Sequence, residues 1–199
     1  MNTILVDVLQ QPGTAFGVPP TASGPTQPQF VSASALSGTL FTIKSAGTAV
    51  TAASLTSIFP GSSAVGSLVL PANFFVPGRS LELTMFGYYT AAATTSMTLA
   101  IKLNTLTLCT SASSSVTTNA SAAAWQLTGV ITCYAVGSPP TPTVVGGGMA
   151  IVGVAPVGLV QSTIQQVDTT IAQTIDIQAA FSAGSGSFTL QGIYIDTYN

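Results

Sequence analysis

The chain has 199 residues, enough for one β domain of ordinary size or for a domain with an arm. Hydrophobic residues make up 47% of it and charged residues only 4%, against about 25% charged in an average soluble domain. Its three basic residues, Lys44, Arg79 and Lys102, cannot form a phosphate-binding stripe. This argues against a nucleic-acid partner. Surface charge normally keeps a monomer soluble and blunts its sheet edges, so its scarcity points to a surface largely covered in an assembly.

Taken in order, residues 1–36 read as an extended N-terminal arm. Ile4, Val6 and Val8 alternate briefly, and then Pro12-Gly13, Pro19-Pro20, Gly24-Pro25 and Pro28 exclude a helix or a central strand. Phe16 and Phe30 give this arm apolar groups with which to dock on a neighbour; a disordered tail has fewer apolar residues and more charge. Residues 37–199 read as the compact domain. Strand-like pieces appear at Thr39–Ile43, Leu55–Phe59 and Gly66–Leu70. Pro77-Gly78 is a turn signal, and Leu81, Leu83 and Met85 then alternate with Ser80, Glu82 and Thr84. Met97, Leu99, Ile101 and Leu103 continue the same period. Asn104-Thr105 makes a hairpin turn toward Leu106 and Leu108. Residues 110–123 are expected to be an irregular polar connection. Trp125, Leu127, Ile131 and Cys133 share one phase, with Trp125 as a core anchor. Gly146-Gly147-Gly148 leads into an apolar run, and Ile175, Ile177 and Phe181 follow a polar stretch. Phe188 to Ile195 closes the chain, with a bulge expected near Gly192. No segment carries a sustained helical stripe. About eight strands separated by turn signals indicate an all-β sandwich or jelly roll.

The longest apolar run, Gly148 to Val160, falls short of the roughly 20 residues a bilayer requires, and Pro156 interrupts it. No basic region followed by an apolar block opens the chain, and Asp7 sits where a signal peptide would be apolar. Synthesis in a cytoplasm, without a membrane partner, is therefore expected. Cys109 and Cys133 fall on separate expected strands, and two reduced core cysteines suit that compartment.

Few groups are available for chemistry. The chain has no histidine, which removes the usual general base and the usual zinc ligand. The acids Asp7, Glu82, Asp168, Asp176 and Asp196 are scattered, without a marked catalytic pair or an Asp-rich calcium loop. No catalytic residue, metal site or cofactor is expected. Arg79 and Glu82 are three positions apart and so face opposite sides of an extended strand. Each is a candidate for a subunit contact, together with Ile4, Val6, Val8, Phe16 and Phe30 on the arm.

From Val76 onward the chain resembles a family of structural proteins of tailed bacteriophages. The resemblance is carried by Val76-Pro77-Gly78-Arg79-Ser80-Leu81-Glu82-Leu83 before Gly87, Leu99-Ala100-Ile101-Lys102-Leu103, and Trp125-Gln126-Leu127 before Ile131-Thr132-Cys133. Val167-Asp168-Thr169-Thr170 and Ile175-Asp176-Ile177 extend it. It implies a tumour-necrosis-factor-like jelly roll of antiparallel strands that forms a homotrimer on the virion. The expected role is a capsid cement or decoration protein, made in the host bacterial cytoplasm, that stabilises neighbouring major capsid protein subunits. The alternative is a tail-fibre or receptor-binding tip, with Tyr88, Tyr89, Tyr134, Tyr194 and Tyr198 stacking on host glycans. The Pro-rich first 75 residues do not fit the family pattern.

Overall fold

The computed structural model describes residues 38–59, 64–91, 95–115, 120–140, 143–161, 163–182 and 186–198. The expected arm, with Ile4, Val6, Val8, Phe16 and Phe30, lies outside these residues. Among the described residues there are thirteen strands and no helix. They are β1 Gly38–Ile43, β2 Thr56–Ser57, β3 Ala64–Gly66, β4 Val69–Leu70, β5 Ser80–Ala91, β6 Ser96–Leu103 and β7 Leu106–Ser111. There follow β8 Ser114–Ser115, β9 Ala120–Ala135, β10 Thr143–Val152, β11 Ala155–Val160, β12 Gln173–Phe181 and β13 Gly186–Tyr198. Four of these have only two or three residues, leaving nine longer strands against about eight expected from the sequence.

The strands form one antiparallel, curled sheet in the order β2-β12-β6-β7-β11-β10-β9-β5-β13-β1-β3, with β4 beside β12 and β8 beside β6. Alternation explains why it curls around a single core. In β5 the side chains of Leu81, Leu83, Met85, Tyr89 and Ala91 point inward and are buried. In β9 Trp125, Leu127, Ile131 and Cys133 do the same, and in β12 Ile175, Ile177, Ala179 and Phe181. All of these belong to one apolar cluster. The two ends of the sheet meet through it. Trp125 stacks on Phe188 of β13 at 4.1 Å between centroids, and Phe188 meets Phe181 of β12 at 6.4 Å. A Cβ on Gly129 of β9 would lie 2.8 Å from Cδ1 of Ile101 on β6, so glycine there lets the two halves approach closely. The segment after β1 helps tie the halves together. Val50 exchanges hydrogen bonds with Phe188, and Ala52 accepts one from Phe181 N.

The turn at Pro77-Gly78 forms as expected, with Gly78 at φ +90°, a conformation that favours glycine. The hairpin at Asn104-Thr105 also forms, joining β6 to β7. A register shift between Leu190 and Gly192 marks the bulge in β13. The apolar run from Gly148 to Val160 is the β10–β11 hairpin, turning at Gly153-Val154. The expected polar connection over 110–123 is shorter than the sequence suggests. β7 continues to Ser111, and β9 starts at Ala120 because backbone pairing with Ala91 of β5 extends it beyond the apolar alternation.

Candidate interaction face

The outward side chains of β10, β9, β5, β13 and β1 form a continuous face whose rows follow from the register. One row runs Met149, Thr128, Thr84, Tyr194, Thr42. The next runs Gly147, Val130, Glu82, Asp196, Thr39. On the other side of the first, Ile151, Gln126 and Phe86 lie side by side. A soluble domain's outer sheet face is normally polar. Here Phe86 is 44% exposed, Val130 45%, Met149 56% and Tyr194 50%. Tyr88, Tyr134, Ile151 and Tyr198 are exposed as well.

Two shallow furrows cross this face. One, of about 400 Å³, is lined by Thr128, Val130, Thr132, Tyr134 and the Val145–Gly148 backbone. Here the triple glycine leaves the strand bare. The other, of about 540 Å³, lies among Phe86, Tyr88, Trp125, Gln126, Ile151 and Gln191. Neither is lined by a carboxylate, lysine or arginine. Among the described residues no group of three or more potential metal ligands comes together.

The two charged candidates part company. Arg79 is turned inward and is 2% exposed. Its Nη1 donates to the Phe74 carbonyl, and its guanidinium lies 4.9 Å from the centre of the Phe74 ring. Desolvation lowers its pKa, partly offset by Cys133. The turn carrying Arg79 is pinned to β9, since Gly78 N donates to the Cys133 carbonyl and Cys133 N to the Arg79 carbonyl. Its charge is thus used within the subunit. Glu82 stands on the outer face, directly opposite Asp196 across β5 and β13. Asp196 accepts from Thr39 Oγ1 at 2.6 Å, and Glu82 hydrogen-bonds the Tyr198 hydroxyl. Partial burial, then Glu82 and Asp196, push the Tyr198 phenol above its ordinary range.

Among the tyrosines, Tyr89 is buried rather than available for stacking, and its hydroxyl has no hydrogen-bond partner among the described residues. The alternation of β5 settles this, because Tyr89 shares the phase of Leu81, Leu83 and Met85. Cys109 and Cys133 are buried free thiols. Burial pushes the Cys109 thiol up to about 11. The apposition of Glu82 and Asp196 escaped the sequence, because it depends on the register of two strands far apart in the chain.

No protein-family model, curated protein or solved structure matches this chain.

Proposed function

We propose that this chain is a structural subunit that self-associates through the outer face of β10, β9, β5 and β13. The observation that carries this reading is the apolar character of that face on a chain with 4% charged residues. Large contiguous exposed apolar patches mark association surfaces, and few charges stand on this one to oppose burial.

The strand order supports a jelly-roll description. The first long strand, β1, lies beside the last, β13, then come β5 and β9. In the other half β4 and β2 lie end to end along one edge of β12, which is followed on its other edge by β6 and β7. This is the nesting that two Greek keys produce, with the β10–β11 hairpin added where the halves adjoin. Together with the resemblance carried by the Val76–Leu83 and Trp125–Cys133 motifs, it favours a homotrimeric cement or decoration protein on a tailed-phage capsid. There the domain binds major capsid subunits through apolar burial and backbone pairing. Sedimentation equilibrium tests the trimer. Electron microscopy of intact particles carrying a labelled protein tests the location, and label on the tail alone would overturn the capsid assignment.

The tail-tip reading keeps one specific support, the exposure of Tyr88, Tyr134, Tyr194 and Tyr198 on the outer face. Aromatic rings of this kind offer flat apolar platforms with a polar edge. Glycan binding by the isolated assembly, lost on Tyr134→Ala or Tyr88→Ala, would favour it over the capsid role.

A further inference from the structure

The outer face carries two carboxylates and no base. Glu82 and Asp196 face each other directly across β5 and β13. Like charges so placed destabilise a sheet. Around them β9 contributes Thr128, Val130 and Thr132, and β1 contributes Thr39. Their own strands add Ser80, Thr84, Tyr194 and Tyr198, so the hydrogen-bond donors at the pair, Thr39 and Tyr198, are neutral. The other charges among the described residues lie off this row. Lys102 faces Asp176 across β6 and β12. Asp168 accepts from Thr170 N and Oγ1. Arg79 is buried against Phe74. Lys44 is left, exposed just beyond the end of β1. It lies five positions past Thr39, the residue that faces Asp196. The bulge between Thr39 and Phe41 takes up one of these positions, so Lys44 lies about four residues, roughly 13 Å along the strand, from the row of Glu82 and Asp196.

We propose that, when two copies of this chain meet through the outer face, Lys44 of one copy seats on the Glu82–Asp196 pair of the other. This rests on the self-association reading above and specifies its orientation. The occupant is a second copy because the charges are complementary. The face presents an acidic pair without a base among the described residues, and the same chain presents an exposed base, Lys44, outside that row. Burying the pair without a cation removes two like charges from water at an uncompensated desolvation cost. A neighbour's ammonium offsets that cost and fixes the docking direction, while the apolar side chains provide most of the affinity. In a ring, each copy gives one Lys44 and receives one, so the contacts close head to tail.

The test is sedimentation equilibrium of the full chain as wild type, Lys44→Met, Glu82→Gln with Asp196→Asn, and all three substitutions together. Lys44→Met and the double carboxamide variant are each expected to weaken association by about tenfold or more. The triple variant is expected to be no weaker than either, because both sets remove one interaction. Lys44→Arg keeps the association. Wild-type association at Lys44→Met, or additive losses, overturns this inference alone. A wild-type chain that stays monomeric at every concentration overturns the self-association reading as well.

Discussion

Gly87 is a position where a single added methyl group would collide with the packing of the core. It lies on β5 opposite Trp125 of β9 and Leu190 of β13. The indole Nε1 of Trp125 donates to the Thr189 carbonyl at 3.2 Å, passing across the bare glycine. A Cβ there would lie 2.0 Å from the Thr189 oxygen and 2.7 Å from Trp125 Nε1. Backbone cannot yield by that much without moving β13, so Gly87→Ala must displace the indole, the strand or both. Losing the hydrogen bond costs about 1 kcal/mol. Disturbing the Trp125–Phe188 stack costs about 0.5–1.5 kcal/mol, and overpacking adds about 1–3 kcal/mol. The expected total is about 2.5–5.5 kcal/mol, or a fall in Tm of about 5–22 °C for a domain of this size. Trp125 is the only tryptophan, so urea unfolding followed by its fluorescence reports both stability and local packing. Trp125→Phe keeps a stacked ring but removes the donor, and it should cost only about 1 kcal/mol. If Gly87→Ala stays within about 0.5 kcal/mol of wild type with unshifted emission, this account of the site is wrong.

Other expectations follow from the same packing. Leu127→Ala, at a fully buried position, should destabilise by about 2–5 kcal/mol in urea titrations. Arg79→Ala should cost about 1–3 kcal/mol, since the Phe74 carbonyl loses this donor and the ring its cation, while Glu82→Gln should be neutral or slightly stabilising in the free subunit, since it relieves repulsion from Asp196. Equal effects of the two substitutions would contradict the inward placement of Arg79. Cys109, raised from 9.0 to about 11 by burial, stabilises the fold fully below pH 9 and loses that contribution as pH rises through 11. Stability should therefore fall across that window, and Cys109→Ala should flatten the slope. Phe86→Gln should leave Tm unchanged yet weaken self-association, as read by sedimentation. For the capsid role, deleting residues 1–30 should weaken binding to heads while the trimer persists, and full occupancy by the deletion variant would remove the arm from the account.

Local alternation by itself determined most of the strands and their inward faces. Leu81, Leu83 and Met85, or Trp125, Leu127 and Ile131, can be placed from a period of two, because one face of each strand must leave water. The turns at Pro77-Gly78 and Asn104-Thr105 were equally legible, being set by local backbone preference. Even the burial of Tyr89 was implicit in the phase of β5, although the tyrosines look alike as a composition. Only the tertiary structure decided which strands become neighbours. Pairing β5 with β13 and β9 joins segments distant in the chain, and nothing local encodes that register. The same register sets Glu82 against Asp196 and aligns Met149, Tyr194, Val130 and Phe86 on one outer face. It also turns Arg79 inward onto Phe74. Period-two patterning states which side of a strand avoids water, but a face shared by five strands exists only once they are placed side by side.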